Sequence, residues 1–363
     1  MMLKVRHASQ SQISYLCLEP VREGHASYTH VIEIVEGLKK LGWNIKLFSP
    51  YYDNKDLPPL PKRILKMLIA QWQLISSGYS PRLIYIRCHP FSFMTAVWAK
   101  IKGIKVIQEV NGPYEDLYIA WPWTSYFRPF FRMLYRKQFE WAEHVIVVTQ
   151  GLKSFVEGEA NHKRVSVIGN GVNLSLFNPQ AKTEYKLPPQ FVIFFGTFSP
   201  WHGISLLLRA VEDPEWPKDI KLVFAGDGTE RLLIEEKSKT NPRIVYLGRI
   251  PYKEVGGIVA QSIASLVPIQ NIENRASKGL SPLKLSETIA CGIPVIVSDQ
   301  PEQSDFVYKN KVGWIVKEQT PDAWAKAVKI AVSQERTKFT KSLIKSISWD
   351  EKVKILERLL LKL

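Results

Sequence analysis

Cysteine is scarce in this chain of 363 residues, which contains only Cys17, Cys88 and Cys291. The three positions lie far apart, and their spacing matches neither a disulfide framework nor a metal-ligand motif. This scarcity argues against a disulfide-stapled secreted domain and predicts a reducing compartment.

Long apolar runs are lacking as well. Residues 1–20 contain no continuous apolar stretch of the kind that a signal peptide needs. No segment approaches the ~20 apolar residues that cross a bilayer. We therefore expect a cytoplasmic chain, free or on the membrane face, that does not span the membrane.

Acidic residues are fewer than basic ones. The chain contains 34 Asp and Glu and 49 Lys and Arg, which gives a formal net charge of +15. Both halves of the chain share this excess, which suits an anionic substrate, an anionic membrane surface or nucleic acid. The basic residues are scattered and form no helix-turn-helix, zinc or RNA-binding signature. We therefore expect no nucleic-acid partner.

Short β-branched or aromatic runs alternate with amphipathic helical segments along the whole chain. This alternation is typical of an α/β fold with parallel sheets, here built twice. The polar, proline-rich residues 178–190 are predicted to link the two parts. Strands are predicted at 13–18, 44–48, 83–86, 105–108, 144–148, 165–168, 191–195, 221–225, 244–247, 264–267 and 294–297.

A helix is predicted to begin at Ser281, because Ser suits the N-cap and Pro282 suits the first helical position. Lys284 in the first turn is unexpected, since a helix N-terminus is already positive, and its presence there favours a bound phosphate. Glu287 lies on nearly the same face, where its carboxylate suits the paired hydroxyls of a ribose. The alternative is a surface helix with a solvated Lys–Glu pair.

Glycine follows three predicted strands of the second half, at Gly196, Gly226 and Gly248. In open α/β sheets ligands bind beyond the carboxyl ends of the strands, and glycine lets the backbone approach a ligand closely. The alternative is that each glycine only serves a turn.

Residues 121–141, WPWTSYFRPFFRMLYRKQFEW, combine aromatic side chains with Arg128, Arg132 and Arg136, which recur every four residues. Aromatic rings beside a cationic helix stripe suit an anionic bilayer interface. Residues 60–72, LPKRILKMLIAQW, form a second and weaker basic amphipathic segment. The alternative is that the aromatic face packs under the first sheet.

Motifs along nearly the whole chain resemble glycosyltransferase family 4. In the first half these are EGHASYTHVIEIVEGLKKLGWNIKLFSP (23–50), IKVIQEVNGPYEDL (104–117), AEHVIVVTQGLKSF (142–155) and VIGNGVNLSLFNP (167–179). In the second half they are FFGTFSPWHGISLLLRAV (194–211), LVFAGDGTERLLIE (222–235), YLGRIPYKEV (246–255) and SPLKLSETIACGIPVIVSD (281–299). Their order and spacing together make the resemblance specific.

The resemblance implies the α/β fold called GT-B, in which two Rossmann-like, doubly wound parallel-sheet domains face each other across a cleft. The implied domains are an acceptor-binding domain at 1–180 and a nucleotide-sugar-binding domain at 181–345. A C-terminal helix at 346–363 would cross back to the first domain.

The resemblance also implies roles for individual residues. Arg249 stands where the family places the nucleobase of the donor. Gly24 and His25 stand where a loop of the family approaches the donor phosphate and the acceptor. The implied catalytic residues are Glu109, Asn111 and Glu287. The implied donor-binding residues are Gly24, Gly196, His202, Gly226, Arg249, Ser281, Pro282, Leu283, Lys284 and Glu287.

The sequence departs from the family pattern at several positions. Many members carry a glutamate that touches the transferred sugar eight residues before Glu287, where this chain has Gly279. Many members also carry an arginine and a lysine near the places of Thr197 and His202, and His202 would then bind phosphate or cap a helix. Arg275 and Lys278 would supply the missing charge, or would be solvated loop residues.

The resemblance implies a retaining hexosyltransferase that moves a sugar from a UDP- or GDP-type donor to a saccharide or polyprenyl-linked acceptor in envelope polysaccharide or glycolipid assembly. No DxD motif occurs, so we expect no metal ion and no cofactor. The expected location is the cytoplasmic membrane face. The alternatives are a non-catalytic nucleotide-sugar-binding subunit and a GT-B epimerase or phosphorylase.

Overall fold

The computed structural model describes residues 12–23, 26–52, 57–78, 81–272, 276–279, 281–335 and 338–363. The chain divides into two compact units. The first contains residues up to Gly169 together with Val353–Leu363, and the second contains Asn170–Lys352.

The first unit is built on a six-stranded parallel sheet with the order β2-β1-β3-β4-β5-β6. Its inner strands are buried on both faces, which explains why they read as nearly continuous apolar runs. The register pairs Tyr15 with Tyr85, and their stacked rings lie 4.8 Å apart between centroids. The strands are β1 Gln12–Cys17, β2 Asn44–Phe48, β3 Leu83–Arg87, β4 Lys105–Val110, β5 His144–Val147 and β6 Val165–Val167.

Helices follow the strands of this sheet, and a polar side chain caps the start of one of them. There the Thr149 hydroxyl accepts a hydrogen bond from the Leu152 N–H at 3.1 Å. The helices are α1 Ala26–Lys40, α2 Leu60–Ser76, α3 Phe93–Lys102, α4 Glu115–Ala120, α5 Arg128–Trp141 and α6 Gln150–Ala160. A 3-10 helix at Pro122–Phe127 leads into α5.

The second unit repeats the design with a six-stranded parallel sheet in the order β12-β11-β10-β7-β8-β9. Its strands are β7 Phe191–Thr197, β8 Lys221–Asp227, β9 Ile244–Tyr246, β10 Ser265–Val267, β11 Val295–Ser298 and β12 Gly313–Val316. Its helices are α7 Ile204–Ala210, α8 Arg231–Thr240, α9 Tyr252–Gln261, α10 Leu283–Ala290, α11 Gln303–Asn310, α12 Pro321–Ser333 and α13 Lys341–Ser346. Trp216 and Trp324 are the largest fully buried side chains of its core.

The last helix, α14 Trp349–Leu360, begins in the second unit and joins the first from Val353 onward. A Cβ atom on Gly37 of α1 would lie 2.7 Å from a methyl carbon of Val353, so the two helices pack closely. The Trp43 indole N–H also donates to the Glu357 carboxylate at 3.2 Å. Val353–Leu363 thus belong to the first unit, the part of the chain to which the C-terminal helix was predicted to return.

The contact-based division at 169/170 precedes the predicted boundary at 180, and residues 178–190 lie inside the second unit. They form no helix or strand, in agreement with their proline-rich sequence. They nevertheless pack on α9, where the Thr183 hydroxyl donates to Glu254 at 3.0 Å and Tyr185 and Leu187 cover the core. This contact surface explains why the segment is part of a domain rather than a free linker.

The three cysteines are free thiols. Cys17 ends β1 in the first unit and Cys291 follows α10 in the second, and both are buried. Burial raises the pKa of both thiols far above the ordinary value.

Candidate functional site

Lys284 is the most unusual side chain of the second unit, because it is only 8% exposed and its amine has no hydrogen-bond partner among the described residues. The Nζ atom lies 3.9 Å from the centroid of the Phe194 ring. It also faces the end of β7, since a Cβ atom on Gly196 would lie 3.8 Å from it. A buried amine without a hydrogen-bond partner is energetically unfavourable, and an anion bound beside it would satisfy it.

The pKa values of this region reflect the same burial. Burial lowers the pKa of Lys284 to about 7, and the nearby Glu287 carboxylate offsets only part of this effect. Burial raises the pKa of Glu287 to about 7, against the opposing effects of Tyr252 and Lys284. The Tyr252 hydroxyl donates to Glu287 at 2.8 Å. Because Lys284 and Glu287 are both buried, they are not the solvated surface pair of the alternative prediction.

The predicted N-cap at Ser281 is wrong. Helix α10 begins at Leu283 with Pro282 at the cap position, and no described side chain caps it. The fixed φ of Pro282, −67°, with an extended ψ of 128°, sets the turn into the helix. Ser281 instead offers its carbonyl to the Asn170 side-chain amide at 2.6 Å.

The strand-end glycines lie together at the carboxyl edge of the second sheet. A Cβ atom on Gly226 would lie 1.9 Å from the Gly196 carbonyl oxygen, because the two residues pair at the carboxyl ends of β7 and β8. The Gly226 N–H donates to the Gly248 carbonyl at 2.8 Å. Each of the three has a positive φ, which suits the turns, and Gly226 alone of the three has another backbone in close approach. Arg249 follows Gly248 and is exposed.

His202 lies at the end of the 3-10 helix Pro200–His202, in the turn after β7. Its Nδ1 atom lies 2.6 Å from the Thr197 carbonyl oxygen, which fixes the proton of the neutral ring on Nδ1. The Nε2 atom is then an acceptor in the neutral form. A hydrogen bond to phosphate therefore requires the protonated imidazolium.

Glu109 and Asn111 lie at the carboxyl end of β4 in the first unit, and Glu109 is only 1% exposed. Its carboxylate accepts hydrogen bonds from Arg87 at 3.3 Å, from the Tyr15 hydroxyl at 3.2 Å and from the Asn111 amide at 2.5 Å. The His30 ring also contacts it. Glu109 is therefore a buried carboxylate that joins three strand ends to α1 and holds this loop.

The electrostatics of this buried cluster are strongly coupled. Burial alone would raise the pKa of Glu109, but His30, Arg87 and Asn111 together hold it well below the ordinary value. Arg87 also pairs with Glu19 at 2.8 Å. Sequence reasoning missed His30 and Arg87. The one available signal was the charged Arg87 at the end of the apolar strand LIYIR.

The remaining predicted residues have varied placements. Gly24, His25 and Arg275 lie outside the described residues, and Lys278 ends a 3-10 helix at Ala276–Lys278. The three arginines of α5 are exposed, as the stripe predicts. Two of them are ion-paired, Arg132 with Glu159 at 2.7 Å and Arg136 with Glu140 at 2.8 Å, while Arg128 lies over the Tyr118 ring.

Structural superposition identifies the fold class of the protein. The protein superimposes on sucrose-phosphate synthase from Thermosynechococcus elongatus with a TM-score of 0.78 and 17% identity, covering 97% of this chain and 99% of that one. Anabaena HepE in complex with UDP and glucose gives a TM-score of 0.70 and 13% identity, with the same coverage. Two six-stranded parallel sheets with these neighbours define the predicted GT-B fold, which is confirmed.

Two family models then identify the family. One, described as Glycosyltransferase Family 4, matches residues 28–176, and the other, described as Glycosyl transferases group 1, matches residues 178–347. The chain belongs to the group 1, family 4-like glycosyltransferases. An uncharacterized glycosyltransferase of Methanocaldococcus jannaschii is 24% identical over 217 residues, which cover 58% of this chain and 57% of that protein. The chain spans about half the length of the curated relatives it matches.

Proposed function

We propose that this protein is a retaining glycosyltransferase that moves a sugar from a nucleotide-diphosphate donor to a saccharide or lipid-linked saccharide acceptor. The observation that carries the proposal is the buried Lys284 amine in the first turn of α10, which has no hydrogen-bond partner among the described residues. Its chemistry suits a diphosphate, because an ammonium group and helix N–H groups both bind phosphate oxygens. The complex of Anabaena HepE with UDP and glucose supports a nucleotide-sugar donor.

In the proposed reaction, stabilisation of the leaving diphosphate makes the largest contribution to lowering the barrier. Breaking the bond between sugar and phosphate develops negative charge on the diphosphate and positive charge on the sugar. Preorganised positive groups that face the diphosphate lower this barrier. Lys284 and the start of α10 supply that charge, so the proposal assigns no metal ion. Glu287, which accepts a hydrogen bond from Tyr252, would also accept hydrogen bonds from the hydroxyls of the ribose.

A nucleotide panel tests the donor site directly. UDP, GDP, ADP and dTDP are each added in a thermal-shift assay, and we expect one of them to stabilise the protein. A ligand at 100 times its Kd adds about 2.7 kcal/mol to the free energy of unfolding, which such an assay resolves. The Glu287→Gln variant should lose response to the nucleotide more than to inorganic pyrophosphate, which has no ribose.

Absence of stabilisation by all four nucleotides would contradict the proposed donor site. Donor binding without transfer to any saccharide or polyprenyl-linked acceptor would favour the non-catalytic alternative. Transfer with inverted anomeric configuration, read by NMR of the product, would contradict retention. Epimerised or phosphorolysed donor would favour the epimerase or phosphorylase alternative.

We also propose that the first unit docks on an anionic membrane through one apolar surface. On α2 the side chains Leu65, Leu68, Ile69 and Trp72 are exposed and lie on one helix face. The aromatic segment before and within α5 adds Trp123, Tyr126, Phe127 and Phe130, all exposed. The Arg63 guanidinium lies 5.4 Å from the Trp121 ring and brings the two segments together. No helix of the described chain is long and apolar enough to span a bilayer.

The matched substitutions Leu65→Ser with Trp72→Ser should weaken vesicle binding. Each apolar side chain that enters the interface contributes about 1.5–3 kcal/mol, so the double variant should partition at least ten times less onto vesicles. Co-flotation with phosphatidylcholine vesicles, with and without phosphatidylglycerol, measures this effect. The control Leu232→Ser with Leu233→Ser removes exposed leucines from α8 of the second unit. Equal flotation of both double variants would contradict the proposed surface.

A further inference from the structure

Gly279 and Glu302 occupy one space at the carboxyl edge of the second sheet. Gly279 is buried with a φ of +75°, and a Cβ atom there would lie 2.6 Å from the Glu302 Oε1 atom. The Cδ and Cγ atoms of Glu302 lie 3.0 and 3.2 Å from the same position. The Glu302 carboxylate therefore packs directly on the Gly279 backbone, and any other residue at 279 would displace it.

Glu302 is held in an unfavourable backbone conformation. Its φ is +64°, a region that residues other than glycine rarely adopt because it is strained. Its side chain accepts the Asp305 N–H, while the Asp305 side chain accepts the Glu302 N–H at 3.3 Å, in a reciprocal capping box. Glycine would relieve this strain but would remove the carboxylate from the space beside Gly279.

The position of Glu302 defines what the carboxylate can contact. It follows β11, whereas Gly279 follows the adjacent strand β10 and directly precedes the segment that leads into Lys284. Glu302 is half-buried, so part of its side chain is exposed to solvent. A carboxylate repels phosphate but accepts hydrogen bonds from hydroxyl groups. The uncharged, hydroxyl-bearing part of a ligand anchored on Lys284 is its fitting partner.

We infer that the Glu302 carboxylate binds hydroxyl groups of the sugar carried by the donor. This inference rests on the proposed function, since it takes the donor diphosphate to lie on Lys284. Gly279 makes room for the carboxylate by lacking a side chain. The carboxylate that the family resemblance implies at 279 is thus replaced by one carried on the neighbouring loop.

Calorimetric titration of two kinds of ligand tests the inference. The ligands are UDP, GDP, ADP and dTDP, and the glucose, galactose and N-acetylglucosamine conjugates of each. We expect Glu302→Gly to weaken at least one conjugate by about 10- to 100-fold, the size of one or two hydrogen bonds to a charged group. Binding of the free nucleotide should change less than about twofold. Glu302→Gln should lie in between, and Asp305→Asn, which alters the other half of the capping box, should resemble the wild type.

A double exchange makes the test stricter. Gly279→Glu alone should lose conjugate binding, because its Cβ atom meets the Glu302 carboxylate. The double variant Gly279→Glu with Glu302→Gly again has one carboxylate in this space, now carried by residue 279. Glycine then stands at 302, and the side chain at a positive φ is the one at 279. We expect this variant to recover at least part of the lost affinity.

Unchanged conjugate binding in Glu302→Gly, or equal losses in Asp305→Asn, would overturn the inference while the donor site stands. Absence of nucleotide binding in the wild type would instead overturn the proposed function, and the inference with it.

Discussion

Lys284→Met should make the protein more stable and weaken its binding of a nucleoside diphosphate. The substitution replaces a buried amine that has no partner among the described residues with an apolar side chain of similar length. Removing the unsatisfied group should raise the free energy of unfolding by about 1–3 kcal/mol. The loss of a buried charged contact to phosphate should cost about 2–5 kcal/mol of binding, so the Kd should rise at least about 30-fold.

Opposite changes in stability and affinity distinguish a binding site from a structural lysine. The control is Lys253→Met, which removes an exposed lysine of α9 and should change neither quantity appreciably. Thermal unfolding without ligand and calorimetric titration with the nucleotide selected by the panel measure the two effects. A destabilised Lys284→Met variant, or one that keeps wild-type affinity, would contradict the phosphate site.

The same lysine gives the wild type a pH dependence with a defined sign. Because burial lowers the pKa of Lys284 from 10.5 to about 7, the unfolded chain binds more protons than the folded protein between these values. The contribution of Lys284 to the free energy of unfolding should therefore rise with pH from about 7 to 10.5, and disappear in Lys284→Met. Glu287 acts in the opposite sense between pH 4.5 and about 7, because its pKa is raised. Nucleotide affinity should fall above pH 7, since a bound diphosphate requires the protonated amine.

Glu109→Gln should destabilise the first unit by about 3–5 kcal/mol. It removes the one carboxylate that Arg87, His30, Tyr15 and Asn111 all contact, and it leaves the buried Arg87 guanidinium with a weaker partner. Denaturant unfolding measures the loss. The control Glu36→Gln breaks the half-exposed pair of Glu36 and Lys39 and should cost less than about 1 kcal/mol.

Acid titration provides a second measurement of the Glu109 cluster. The pKa of Glu109 is held below its ordinary value of 4.5, so its contribution to stability is present above that pH. This contribution should be lost as the pH falls below 4.5 toward the folded-state pKa, and the loss should be smaller in Glu109→Gln. A variant as stable as the wild type at pH 7 would show that Glu109 is not the structural centre of this cluster.

Much of the fold could be predicted from local sequence, whereas β12 could not. Buried parallel strands such as Leu83–Arg87 read as continuous apolar runs, and eleven strands were predicted close to their observed positions. The edge strand Gly313–Val316 was missed because it is short and its first three residues are half-buried. A Cβ atom on Gly313 would lie 1.8 Å from the Val295 carbonyl oxygen, so its glycine reflects a contact that only the folded sheet reveals.

The residues of the candidate site likewise differ in whether local sequence could predict them. Lys284 and Glu287 could be predicted because one helix start brings them together in sequence. His30, Arg87 and Glu302 could not, because each meets its partner across a long stretch of chain. The N-cap at Ser281 was wrong since proline alone sets the entry into α10.

The two buried thiols make unfolding of each unit chemically visible. Cys17 lies in the core of the first unit and Cys291 in that of the second, and their raised pKa values leave almost no reactive thiolate. An alkylating reagent should therefore modify each position only when its own unit opens. Mass spectrometry of the labelled peptides would then follow two separate opening reactions in one sample, without any engineered probe.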